Sequence, residues 1–302
     1  MPSHLLSLAD LSYSDIINLL DCASQLKEKR ARGKSSQELN NKTLAMLFEK
    51  SSTRTRISFE VGMTELGGHA IYLNYKDAQL GRGESVADTA RVMTRYVHAI
   101  MARVNKHETL IQLSENGSVP VINGLSDIEH PCQLLADLLT IREYKGKFKD
   151  LQFAWIGDGN NVCNSAMLAC ALTGMKMSIA CPQGYEPDAE VLTKARELGG
   201  RIIVITDPIK AAKNADILST DVWVSMGDEE EYDQRLCDFK PYQINSKLLE
   251  QAKHDVMVLH CLPAHRGEEI TAEVVDGPNS AVFDQAENRL HVQKALLLKL
   301  LS

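Results

Sequence analysis

The chain has 302 residues, 44% hydrophobic and 24% charged, with a formal net charge of −7. That length exceeds the usual single core and predicts about two domains of ~150 residues, with a soluble globular composition. The acidic balance disfavours nucleic acid or an anionic membrane as partner, and no apolar run approaches the ~18 residues of a membrane span.

The N-terminal MPSHLLSLADLSYSDI lacks the basic region and long apolar core of a signal peptide. Seven scattered cysteines, odd in number and without a C-x-x-C pair, predict reduced thiols and a cytoplasmic location. Leu5-Leu6-Ser7-Leu8 is expected to dock before an amphipathic helix over Ser14–Arg30. Strands are then expected at 43–48, 70–73, 97–101 and 119–122, alternating with helices at 53–66, 85–95 and 106–115. A long helix over 131–144 follows, and the alternation restarts. Strands are predicted at 151–156, 176–180, 201–204, 216–219 and 256–259, with helices at 161–173, 187–198 and 207–213 and a final helix at 285–301. Strand–helix alternation predicts an α/β fold with two parallel sheets flanked by helices and joined by long interdomain helices. The expected division is 1–144, with helix 285–302 packing back on it, and 145–284.

Ligands of open parallel sheets bind beyond the carboxyl ends of strands, and the motifs there carry the chemistry. Strand 43–48 hands over to a helix through Ser51-Ser52-Thr53-Arg54-Thr55-Arg56, with Ile57, Phe59, Val61 and Met63 supplying an apolar pattern behind it. Helix-start amides, hydroxyls and two arginines suit a phosphate, whereas a plain helix cap would not need both arginines. The stretch is no P-loop, since it lacks G-x-x-x-x-G-K-[ST]. Arg103 stands at the end of the third strand, either reaching that anion or lying at the surface. After the fourth strand, His130-Pro131-Cys132-Gln133 starts a helix, so the imidazole and amide are expected either to face the sheet mouth, where they can hydrogen-bond a polarised carbonyl and its amide nitrogen, or, for the histidine, to serve as a plain cap or surface residue.

In the second half, Gly157-Asp158-Gly159-Asn160-Asn161-Val162 departs from the dinucleotide fingerprint at its third small residue, which makes an NAD site a poor fit. Asp221 suits an ammonium group, and Ser225-Met226-Gly227 reads as a loop tip. His260, Cys261 and His265 lack conventional metal-ligand spacing, so a thiol tuned by its neighbours is the better reading of Cys261.

STRTR at 52–56, HPCQ at 130–133, DVWVSMG at 221–227, HCLP at 260–263 and AENRLH at 286–291 together resemble the carbamoyltransferase family, over nearly the whole chain and in order. SMG and HCLP are similar to its ornithine branch rather than its aspartate branch. The resemblance implies carbamoyl transfer from carbamoyl phosphate to the side-chain amine of L-ornithine, giving L-citrulline and phosphate. It implies carbamoyl phosphate binding by Ser52, Thr53, Arg54, Thr55, Arg103, His130, Pro131, Cys132 and Gln133, with Gln79 contributed across a subunit boundary of a homotrimer or a multiple of trimers. Ornithine is expected at Asn161, Asp221, Ser225, Met226, Cys261 and Leu262, with Arg289 completing that pocket. Cys261 is expected to take or relay the amine proton, while Thr55, Arg103 and His130 stabilise the oxyanion and Arg54 holds the departing phosphate. No metal or organic cofactor is expected, because phosphate is already a good leaving group. A transferase for putrescine, N-acetylornithine or aspartate, and a phosphate-binding regulator without catalysis, are the alternatives.

Overall fold

A computed structural model describes residues 1–34, 36–225 and 229–301. The chain divides into two compact units, Met1–Leu139 with Glu287–Ser302, and Thr140–Ala286.

In the first unit, α1 (Tyr13–Ala31) precedes β1 (Thr43–Phe48), α2 (Thr53–Glu65), β2 (His69–Asn74), α3 (Val86–Met93), β3 (Ala99–Arg103), α4 (His107–Asn116), β4 (Val121–Leu125) and α5 (Pro131–Lys145). The four strands form one parallel sheet in the order β2-β1-β3-β4. β1 and β3 are buried almost throughout, as a sheet covered on both faces requires. Leu5, fully buried, adds a short parallel bridge to Ile122, donating its N–H to Val121 and accepting one from Asn123.

Two expectations need correction here. β3 and β4 sit about two residues later than predicted, because Val97 closes the turn after α3, its N–H donating to the Met93 carbonyl. Arg103 is thus the last residue of a strand. In α2 the buried positions are Thr55, Phe59, Gly62 and Met63, spaced at helical periodicity, while Ile57 is 52% exposed. Ile57 and Val61 therefore do not carry the packing face.

The second unit contains β5 (Gln152–Ile156), α6 (Asn161–Thr173), β6 (Lys176–Ala180), α7 (Ala189–Glu197), β7 (Arg201–Ile205), α8 (Pro208–Ala212), β8 (Ile217–Thr220), α9 (Tyr232–Phe239), α10 (Ser246–Leu249), β9 (Met257–His260) and α11 (Ala272–Val275). Its five strands are parallel in the order β7-β6-β5-β8-β9. Helix α6 is buried along nearly its whole length and stops at Gly174, whose φ of 74° is readily reached only without a side chain. A final helix, α12 (Val282–Leu301), carries the chain back into the first unit's residues. The short helices α9, α10 and α11 lie on either side of β9, in segments to which the sequence reading assigned no element.

Within the first unit, Glu65 at the end of α2 ties α1 to α12. It accepts from Arg30 Nε at 2.6 Å and from Lys294 Nζ at 2.7 Å. Burial alone would raise its pKa, but these two partners outweigh burial and hold the carboxyl below the ordinary glutamate value. The folded state therefore holds this proton more weakly than the unfolded chain does. The stabilisation is complete above the unfolded value of ~4.3 and is lost as pH falls through the depressed folded value. Glu65→Gln is expected to lower unfolding free energy at pH 7 and to converge on the parent protein in acid. Denaturant titrations at both pH values check this, and a gap that does not change with pH would contradict it.

Candidate active site

Chain order places a reversal in each sheet. In the first, β2 lies on one side of β1 and β3 on the other, so the crevice at their carboxyl ends lies between the segments after Phe48 and Arg103. Ser52 ends the loop after β1 as the N-cap of α2, its hydroxyl accepting from Thr55 N–H at 3.3 Å. Thr53 and Arg54 occupy the helix's first turn, where the amides and the positive end of the helix dipole favour an anion. Thr55 is buried, Arg54 half-buried and Thr53 exposed. Arg56 points elsewhere, its guanidinium 3.9 Å over the Tyr72 ring and its Nε 2.9 Å from Glu60.

Pro131 starts α5, with His130 just ahead of it, and both His130 and Gln133 are buried. Arg289 of α12, only 3% exposed, donates from Nη1 to Gln133 Oε1 at 2.7 Å and from Nη2 to Thr55 Oγ1 at 3.0 Å. Gln133 in turn donates from Nε2 to Asp137 Oδ1 at 2.9 Å. Burial, then the charges of Arg289, Arg103 and Arg54, push His130 well below the ordinary histidine pKa, so its imidazole is neutral at pH 7. The positive charge of three guanidiniums in this unit thus disfavours the charged form of one buried ring. Cys132 turns away from the chemistry: its thiol donates to the Asn123 carbonyl at 3.4 Å, and burial pushes its pKa up to about 12. Gln79 is exposed, in a short 3-10 turn, Gln79–Arg82.

The second sheet reverses between β5 and β8. Asn160 caps α6, its Oδ1 accepting from Val162 and Cys163 N–H at 3.0 and 3.1 Å, while its Nδ2 donates to Asp221 Oδ2 at 2.9 Å. The helix-start amides are therefore already occupied, unlike those an anion-binding nucleotide fold leaves open. Gly159 is required by contact, since a Cβ there would lie 2.2 Å from Pro187 N. Its glycine packs a loop and forms no part of a nucleotide fingerprint.

Asp221 also accepts from the Cys261 thiol, Sγ to Oδ1 2.9 Å. Next to Cys261, His260 and Glu269 form a pair with fully buried side chains, Nε2 to Oε1 2.9 Å, and His260 Nδ1 accepts from Leu262 N–H at 2.9 Å. These bonds fix the imidazole tautomer with its proton on Nε2. They brace Leu262 in a left-handed conformation, φ 57°, ahead of a cis Leu262–Pro263 bond. Asp221, His260 and Cys261 lie within 4.8 Å of one another, but the lone pair on His260 Nδ1 is engaged by Leu262, which leaves the ring poorly suited to a metal. Asn161 and Ser225 are half-buried, and Met226 lies outside the described residues.

The first unit thus brings Thr55 and Gln133 into direct contact with Arg289, while Arg289, Arg103 and Arg54 act on the charge of His130; the second joins Asp221 to Cys261. Arg289, expected beside the ornithine ligands, bonds two residues expected on the phosphate side. Asn160, Asp137 and Glu269 went unnoticed in the sequence. An acid four residues after Gln133 inside the apolar run LLADLLTI was a readable signal for Asp137, since the two share a helix face.

Residues 3–143 match the family model described as the carbamoyl-P binding domain of aspartate/ornithine carbamoyltransferase, and residues 149–300 match its Asp/Orn binding domain. The ornithine carbamoyltransferase of Archaeoglobus fulgidus is 59% identical over 298 residues, 99% of this chain and 97% of that protein. That of Methanosarcina mazei is 59% identical over the full length of both. Among solved structures, ornithine carbamoyltransferase from Pyrococcus furiosus superposes with a TM-score of 0.95 at 52% identity, covering 99% of this chain and 96% of that one. These matches span both units, and the chain belongs to the aspartate/ornithine carbamoyltransferase family.

Proposed function

We propose that the protein transfers the carbamoyl group of carbamoyl phosphate to the side-chain amine of L-ornithine, releasing L-citrulline and phosphate. The observation that carries the donor half is buried Arg289 bonded both to Thr55 in the first turn of α2 and to Gln133 in the first turn of α5, next to His130. The donor-binding domain is 1–144 with the returning C-terminal helix, and 145–284 is the ornithine-binding domain. Ser52, Thr53, Arg54 and Thr55 hold the phosphate, joined by Gln79 from a neighbouring subunit. Arg103, His130 and Gln133 hold the carbamoyl group, with Pro131 and Cys132 shaping the helix start. Arg289, through its bonds to Thr55 and Gln133, belongs with this donor set.

Asn161, Asp221, Ser225, Met226, Cys261 and Leu262 receive ornithine. The side-chain ammonium, with a lysine-like pKa of ~10.4, must lose a proton before it attacks. Asp221 and the Cys261 sulfur form a hydrogen-bonded acceptor pair for that proton. As the N–C bond forms, negative charge grows on the carbamoyl oxygen, where Thr55, Arg103 and the neutral His130 donate hydrogen bonds. The C–O bond to phosphate then breaks, and Arg54 with the α2 amides receives the departing dianion. A neutral imidazole suits this role, because it donates one proton without adding a fourth cation.

The protein assembles as a homotrimer or a multiple of one, which gives a use to exposed Gln79 and to the exposed apolar Ile57 and Ile71. All seven cysteines carry free thiols, as suits the reducing cytoplasm.

Incubation with carbamoyl phosphate and ornithine is expected to form citrulline, with putrescine and aspartate failing to replace ornithine. Absence of citrulline would refute the assignment. Arg54→Gly is expected to lower kcat/KM by about 3 kcal/mol of transition-state stabilisation, as loss of one charge-assisted clamp should. Steady-state kinetics test this, and a near-parental value would remove phosphate anchoring from the mechanism. Light scattering is expected to give three times the 33.5 kDa chain mass, or a multiple of that value. A monomer would contradict the shared-site assembly.

A further inference from the structure

We infer that Asp137 is a positioning residue that fixes which end of the Gln133 amide faces the donor, and that it thereby sets the preference for a carbamoyl over an acyl phosphate. The inference rests on the reading of Gln133 as a ligand of the carbamoyl group. Gln133, Asp137 and Arg289 are 1%, 2% and 3% exposed, so none of their polar atoms has bulk water to turn to.

The two partners of the Gln133 side chain have opposite and unambiguous characters. Arg289 is donor-only, and its Nη1 lies 2.7 Å from Gln133 Oε1. The Asp137 carboxylate accepts, and its Oδ1 lies 2.9 Å from Gln133 Nε2. An amide flip would set oxygen against oxygen and N–H against N–H, leaving two buried mismatches. The amide therefore has one stable orientation, imposed from both ends.

That orientation selects a substrate. Thr55 and Arg289, joined at 3.0 Å, mark the side of Gln133 on which the donor sits. The atom Gln133 turns to that side is Oε1, which keeps a second lone pair after accepting from Arg289. The carbamoyl group differs from an acetyl group in carrying an NH2 where the other has a methyl. An acceptor at this point pairs with the NH2 and is left facing a methyl in the acetyl analogue, a loss that discriminates strongly in a buried site. Asp137, four residues on along α5, touches neither reacting atom. It acts by holding Nε2 away from the donor.

Asp137→Asn keeps the shape but can turn its own NH2 towards Gln133, so the turned-over amide keeps one mismatch, at Arg289, instead of two and becomes populated. We expect its KM for carbamoyl phosphate to rise about tenfold, the worth of one hydrogen bond. Competitive inhibition by acetyl phosphate and by inorganic phosphate should stay within about twofold of the parent, since the anion is held elsewhere. The ratio of carbamoyl phosphate to acetyl phosphate affinity should fall accordingly. Asp137→Glu, which keeps the acceptor, should restore most of the preference. An unchanged ratio in Asp137→Asn, or equal weakening towards all three ligands, would overturn the inference. Should Asp137→Asn fail to fold, a Glu variant with no preference for carbamoyl over acetyl phosphate would overturn it instead. Gln133→Ala separates the levels: if it too leaves the ratio unchanged, the carbamoyl-ligand reading of Gln133 fails. If only Gln133→Ala changes the ratio, the orienting role of Asp137 alone fails.

Discussion

Arg289 is the constraint on which the donor half depends. Burying a guanidinium costs several kcal/mol unless its N–H groups find partners, and here two of them are spent on Thr55 and Gln133, 234 and 156 residues away in sequence. Those two bonds tie the last helix to the segments after β1 and β4. They hold the first turn of α2 and the amide of Gln133 in place before any ligand arrives. Preorganised donors of this kind do not need to be reoriented when charge develops during reaction.

The two units use one topology for opposite charges. In each, a parallel sheet reverses direction and a helix starts at the crevice. At α2 the cap is a serine that accepts one amide, and arginines gather, so the first turn favours an anion. At α6 the cap is Asn160, whose oxygen takes two amides and whose nitrogen steadies the Asp221 carboxylate. That crevice consequently presents negative charge, suited to an ammonium. The cap residue, together with the arginines near α2 or the Asp221 carboxylate near α6, thus changes what an equivalent position in the fold can bind.

Much of this was legible in the sequence because it is local. Strand–helix alternation follows from runs of apolar residues, and STRTR and HPCQ each place their chemistry within a few positions of a strand end. What was not legible depends on distant chain. Arg289 looked like part of the amine pocket because nothing in AENRLH reveals that Thr55 and Gln133 are its partners. The buried pairing of His260 with Glu269, which braces Leu262, is likewise invisible from spacing alone. Ile57 and Val61 looked like core residues in a linear count, yet the helix turns Thr55, Phe59 and Met63 inward. The short helices α9–α11 span too few turns to show a period.

The central claim is that fixed positive charge at the start of α2 grips the phosphoryl end of the donor. A crystal structure with a non-hydrolysable carbamoyl phosphonate is the most direct measurement. The account predicts the phosphonate oxygens about 3 Å from the amides of Thr53 and Arg54 and from the Arg54 guanidinium. Phosphonate bound away from that turn would contradict it.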